Sequence, residues 1–85
     1  MMIPSVHLNG TGKANLLAEL ETAHEALAVA LLALRQVTVH GRDYYVQGPN
    51  AYAQARHEMD ARLAAISAVQ EDLLAIHVAI QQQGK

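Results

Sequence analysis

Hydrophobic positions along the chain recur with the period of an α-helix in two long segments. In the first segment the apolar residues alternate steps of four and three: Leu16, Leu20, Ala23, Leu27, Ala30, Leu34 and Val37, with Leu17, His24 and Leu31 beside them. In the second they repeat every seven residues with companions between: Tyr52, Met59, Ile66, Leu73 and Ile80, then Ala55, Val69 and Ile76, with Leu63 on the flank. Such spacing is typical of helices that pack side by side. The sequence therefore predicts an all-α protein with helices over about 13–40 and 49–83.

Residues that cap or break helices set the predicted boundaries. Residues 1–12 read as an irregular arm, and Thr11 is a plausible N-cap for the first helix. Gly41 can close that helix in a left-handed conformation, and Pro49 suits the first turn of the second. A connector of only residues 41–48 makes the helices antiparallel neighbours. The 85 residues thus form a single helical-hairpin domain.

The arm carries apolar residues that need a place to pack. These are Ile3, Val6 and Leu8. The second helix is predicted to be longer than the first, so Leu73, Ile76 and Ile80 near its end lack cover. We expect the arm to pack on that end of the second helix.

One cation interrupts the apolar stripe of the second helix. Arg62 lies on it, and a buried unpaired guanidinium is costly, so we expect a carboxylate partner in Glu21 or Glu25 of the same chain or of a second copy. Glu21 and His24 also have the Glu-x-x-His spacing of metal sites in helical bundles. Alignment about the connector places Arg62 near the level of His24, and the helical period places Glu21 on the outer face. We therefore expect neither a metal site nor a cofactor.

Residues 26–34 are apolar on every side of the predicted helix. A helix of that kind is buried all round, and one partner helix cannot provide the cover. We expect a homo-oligomer, with a dimer that forms a four-helix bundle favoured. The residues expected at the interface between copies are Ala26, Val29, Ala30, Leu32 and Ala33.

Composition and charge narrow the range of functions. The chain is 52% hydrophobic and only 16% charged, with six Lys and Arg and a net charge of −2, so nucleic acid is an unlikely partner. It has no cysteine for a disulfide or a thiolate site. Residues 1–9 lack the pattern of a signal peptide, and the longest apolar run is too short to span a membrane. These features indicate a soluble, cytoplasmic protein.

The connector gathers the side chains with the most chemistry: His40, Arg42, Asp43, Tyr44 and Tyr45. One interpretation is structural, with a tyrosine that plugs the open end of the hairpin and an Arg–Asp pair that ties the turn. The alternative is a surface that contacts a partner protein. Catalysis is not expected here or elsewhere, since general-base chemistry needs a second reacting group and none is identifiable beside His77.

Three short motifs flank or join the Ala- and Leu-rich helices: Leu8-Asn9-Gly10-Thr11, Gly41-Arg42-Asp43-Tyr44-Tyr45 and Gln47-Gly48-Pro49. With these motifs the chain resembles small uncharacterised proteins encoded in phages and prophages. The resemblance covers most of the chain and implies a helical hairpin and a phage origin. It carries over no activity and no site residue.

Taken together, these features predict a non-catalytic, self-assembling helical hairpin that serves as a structural or adaptor protein. The alternative is a small dimeric regulator that binds nucleic acid. That alternative needs a basic surface built from residues on one face: Lys13, Arg35, Arg42 and Arg56. An antiparallel hairpin places Lys13 at the opposite end from the three arginines, which disfavours it.

Overall fold

The chain folds into an antiparallel hairpin of two α-helices. A computed structural model describes residues 1–6 and 12–83, in which helix α1 spans Lys13–Arg35 and helix α2 spans Ala51–Gln81. The described residues include no β-strand. The prediction of an all-α helical hairpin is confirmed. The Leu8–Thr11 motif and the proposed Thr11 cap lie outside the described residues, and Gly12 occupies the N-cap position of α1.

The first helix is shorter than predicted, because it ends at Arg35 rather than near residue 40. The β-branched residues Val37, Thr38 and Val39 follow, and side chains of this kind lose rotamer freedom in a helix. The prediction that Gly41 closes α1 in a left-handed conformation is wrong. The one glycine with a positive φ among the described residues is Gly48, at +125°, two residues before the Asn50 cap of α2.

The connector is built from two short 3₁₀ turns, Gly41–Asp43 and Tyr45–Gln47. The second turn packs against the start of α2. Because the connector lies back along α2, about ten residues of this helix extend beyond the end of α1. The extra length of α2 is therefore at the connector end, not at the far end as the sequence had suggested.

Polar contacts fix the register of the two helices. The Lys13 ammonium group donates hydrogen bonds to the backbone carbonyls of Gln81, at 3.1 Å, and Gln83, at 2.9 Å. These carbonyls lie at the C-terminal end of α2, where a helix has no partners of its own for them. The side chain of Gln70 reaches the carbonyl of His24 at 3.5 Å. His24 is thus level with Gln70, eight residues from the predicted position opposite Arg62.

The contact between the helices follows a stripe rotated from the predicted one. Its buried and half-buried residues are Leu17, Leu20, His24, Leu27, Leu31 and Leu34 on α1 and Met59, Leu63, Ile66, Gln70, Leu73, His77 and Ile80 on α2. Of the residues predicted to face inward, Leu16 and Ile76 are half-buried, whereas Ala23, Ala30 and Val69 are exposed. Leu31 takes the inward position beside Ala30 because a leucine removes more apolar surface from water than an alanine does.

The N-terminal arm packs on the far end of α2, as predicted. The Gln83 side chain accepts a hydrogen bond from the Val6 N–H at 3.0 Å and donates one to the Pro4 carbonyl at 2.7 Å. Ile3 and Val6 are half-buried, and Ile80, in the last turn of α2, is fully buried. The expected contribution of Leu8 falls outside the described residues.

Candidate functional site

The surface of α1 that faces away from α2 is apolar and open to solvent. All five residues predicted at an oligomer interface are exposed there: Ala26, Val29, Ala30, Leu32 and Ala33. Val29 is 68% exposed and Leu32 is 59% exposed. The structure thus places these residues where a second molecule can reach them.

Helix α2 adds exposed apolar side chains that the sequence analysis missed. Leu74 is 53% exposed and Val78, one turn later, is 40% exposed. The signal was present in the sequence, since residues 73–80 are apolar on nearly every side, as residues 26–34 are. The spacing of apolar residues assigns residues 73–80 only to the contact with α1 and with the arm, and so gives no reason to expect exposed side chains there.

These residues share one broad side of the hairpin. Leu74 lines a cavity together with Glu21 and Glu25 of α1. Val29 and Leu32 are four and seven residues beyond Glu25, which places them on the same side of the helix. We call this side the Leu74 face, and its residues are Glu21, Glu25, Val29, Leu32, Glu71, Leu74 and Val78.

The amount of exposed surface is large for the mass of the chain. The hairpin measures 61 × 21 × 19 Å, and its radius of gyration is 18.8 Å, where a compact domain of 85 residues has about 12 Å. It exposes 6325 Å² to solvent. A compact monomer of 9.2 kDa exposes about 4,900 Å². Among the described residues only Leu31 and Ile80 are buried, so a core of ordinary size is lacking.

A polar cluster lies at the edge of the Leu74 face. The Glu21 carboxylate meets the His77 imidazole across the two helices at 3.0 Å, and this contact is an ion pair when the histidine is protonated. Glu21 is exposed, as the helical period predicts, yet its side chain reaches His77. His77 has no acidic partner at helical spacing within α2, and its partner comes from the other helix, which a pattern within one helix does not reveal.

The cluster borders a cavity of about 160 Å³. Its lining combines three leucines with four titratable residues: Leu20, Leu73 and Leu74, then Glu21, His24, Glu25 and His77. Within the described part of the chain, no three His, Cys, Asp or Glu side chains are grouped so that they could hold a metal ion. The cavity thus combines apolar side chains with two carboxylates and two imidazoles.

Most cations of the helices are already engaged. Arg62 is exposed and lies 3.9 Å from Glu58, one turn earlier on α2, and Arg56 lies 3.8 Å from Asp60. The prediction that Arg62 pairs with Glu21 or Glu25 of its own chain is wrong, because Leu63 and not Arg62 faces α1. Arg35 forms no ion pair with any residue that the structure describes.

Some connector residues fit the structural interpretation, in which they plug and tie the hairpin, and others remain exposed, as a surface for a partner protein requires. Tyr44 is half-buried and lines a shallow cavity with Gln47, Ala51 and Glu58, among others, so it covers the start of α2. Tyr45 is exposed. His40 accepts a hydrogen bond from the Arg42 N–H at 3.3 Å, which begins the first 3₁₀ turn. Arg42 and Asp43 are exposed and do not tie the turn through an ion pair in the described structure.

Helix α2 is also long and apolar enough to cross a membrane, as judged from its length and composition alone; its most apolar stretch has a mean hydropathy of 1.5.

No family model matches the chain, and neither a curated protein nor a solved structure matches it.

Proposed function

We propose that this protein is a self-assembling helical hairpin, a homodimer that forms a four-helix bundle and acts as a non-catalytic structural or adaptor protein. The observation that carries the proposal is the exposed apolar surface on both helices, centred on Val29, Leu32 and Leu74. Patches of this kind on soluble monomers usually mark a site of interaction. The resemblance to phage and prophage proteins makes a phage assembly the setting we propose.

The energetics of a short chain support assembly. A hairpin with two buried side chains gains little hydrophobic free energy, and domains of this length are marginal even with a full core. Each large apolar side chain that a second copy covers contributes about 1.5–3 kcal/mol. One broad side of the hairpin, 61 by 21 Å, also exceeds the roughly 800 Å² per partner of a standard interface.

The charge distribution supports a protein partner over nucleic acid. Two of the arginines nearest the connector, Arg56 and Arg62, are balanced by carboxylates of the same helix. Lys13 lies at the opposite end of the hairpin and is bonded to the carbonyls that end α2. A continuous basic surface is what a phosphate backbone requires.

Assembly in water is also favoured over insertion into a membrane. Glu71 and Asp72 lie in the middle of the most apolar stretch of α2. An acidic side chain at the centre of a membrane-spanning helix costs about 2.5–3.5 kcal/mol on insertion scales. Both are exposed on the hairpin, where water solvates them at no such cost. We therefore propose a soluble, cytoplasmic protein.

A double substitution tests the proposal. Val29→Glu with Leu32→Glu places two charges in the surface that we assign to the interface, so the assembly should dissociate or unfold. The readouts are the molar mass by light scattering at micromolar concentration and the helical signal by circular dichroism. The matched control is Val46→Glu, because Val46 is 75% exposed but lies in the connector. A doubly substituted protein with the mass and helicity of the parent would refute the proposal.

A further inference from the structure

The net charge differs between the two halves of the hairpin. The half that holds the chain ends carries five acids: Glu19, Glu21, Glu25, Glu71 and Asp72. The half that holds the connector carries four arginines and three acids: Arg35, Arg42, Arg56 and Arg62, with Asp43, Glu58 and Asp60. Among the described residues the first half therefore has a net charge of −4, from five acids and Lys13, and the connector half has a net charge of +1, from four arginines and three acids. Two hairpins side by side with connectors at the same end would set the two acidic halves together, whereas hairpins with connectors at opposite ends set the acidic half of each against the basic half of the other.

Two charges on the same side of α1 form no ion pair with the part of the chain that the structure describes. Arg35 is three residues beyond Leu32 and so borders the Leu74 face. Neither Arg35 nor Glu25 forms an ion pair with a described residue. Ten residues separate them, about 15 Å along the helix, which one arginine side chain cannot span. Arg35 and Glu25 of one hairpin therefore cannot pair with each other, whereas those of two copies can.

The apolar residues of the Leu74 face follow the same two-fold pattern. Leu32 lies toward the connector end of the hairpin, and Leu74 lies toward the chain ends. The Glu21–His77 and Gln70–His24 contacts place Leu74 at the level of about residue 22 of α1. A two-fold axis that sets Leu32 at the level of the Leu74 of a second copy crosses the hairpin near the level of residue 27. The same operation brings Arg35 within one helical turn of the second copy's Glu21.

The cavity on this face fits an arginine side chain. Leu20, Leu73 and Leu74 of its lining suit the aliphatic stem, and the carboxylates of Glu21 and Glu25 suit the guanidinium group. We infer that a second copy docks antiparallel on the Leu74 face and places its Arg35 in this cavity, twice in each dimer. The inference rests on the proposed homodimer and adds the orientation of its subunits and the residues that set it.

Charge reversal tests the residues. Arg35→Glu and Glu25→Arg should each raise the dissociation constant of the dimer at least tenfold, as measured by sedimentation. The protein with both substitutions restores opposite charges across the interface, and its constant should return to within about threefold of the parent's, a difference below 1 kcal/mol. Arg62→Glu is the matched control, because Arg62 lies in the same half but pairs within α2. Equal constants for Arg35→Glu and Arg62→Glu, or failure of the double variant to recover, would overturn the assignment.

A distance measurement tests the orientation. The chain has no cysteine, so Ala14→Cys, at an exposed position near the start of α1, accepts a single spin label. Antiparallel hairpins place the two labels about 40 Å apart, and parallel hairpins place them within the width of a bundle, about 20 Å. A dimer with the short distance would overturn this inference and leave the proposed function standing. A folded monomer without a dipolar signal would overturn both.

Discussion

At the scale of single residues, the contact between the helices selects side chains by size and by charge. Leu31 faces inward and its neighbour Ala30 does not, and Leu63 faces inward where Arg62 does not. The hydrophobic period of the sequence predicted an apolar stripe on each helix. Because apolar residues cover much of the circumference of α1, the period did not decide whether Ala30 or its neighbour Leu31 faces α2. Pairing Glu21 with His77 required the register of the two helices, which no period within one helix contains.

Arg62→Glu tests this assignment of the stripe. The substitution replaces an exposed pair with Glu58 by two like charges one turn apart, and exposed pairs at this spacing contribute about 0.3–0.5 kcal/mol. The melting temperature should therefore change little. Leu63→Glu is the matched control, since it buries a charge one position away and should unfold the protein. If Arg62→Glu were the more damaging of the two, the stripe would have to be rotated back to the predicted one.

At the scale of elements, the connector decides how the two helices align. The sequence predicted its position, its glycines and the antiparallel order of the helices. It did not predict that β-branched residues end α1 at Arg35, nor that the 3₁₀ turns lie back along α2. Both effects depend on packing between segments. The local pattern therefore set Arg62 at the level of His24, where the structure has Gln70, and it assigned the positive φ to Gly41 and not to Gly48.

The two connector glycines should respond differently to alanine. Gly48 has φ +125° and ψ 166°, a conformation nearly restricted to glycine, so Gly48→Ala should lower the free energy of unfolding by about 1–3 kcal/mol. Gly41 has no such φ, and an added Cβ would meet the Tyr52 ring at 3.9 Å, an ordinary contact. Gly41→Ala should stay within about 0.5 kcal/mol of the parent. Chemical denaturation measures both, and equal losses would contradict the connector as described.

The N-terminal arm should stabilise the far end of the hairpin. Deletion of residues 1–8 removes the cover beside Ile80 and should lower the melting temperature by several degrees. Gln83→Ala should cause part of that loss, because its side chain bonds to both Pro4 and Val6. Gln82→Ala, at the exposed neighbouring position, is the control. A melting curve unchanged by the deletion would show that the arm contributes nothing to stability.

At the scale of the whole molecule, the elongated shape of the hairpin and its exposed apolar surface both favour assembly with a second copy. Residues 26–34 alone predict assembly, and the structure adds exposed apolar residues on α2, Leu74 and Val78. The orientation of a second copy could not be predicted from sequence, because it depends on which charges the register brings to the Leu74 face.

The molar mass of the folded protein tests the central claim most directly. Sedimentation equilibrium at micromolar concentration should give at least twice the 9.2 kDa of the chain, with 18.4 kDa for the favoured dimer. The helical signal recorded on the same sample should show that the protein is folded. A helical, cooperatively unfolding species of 9.2 kDa would contradict the account, because the exposed surfaces of α1 and α2 would then have no second copy to cover them.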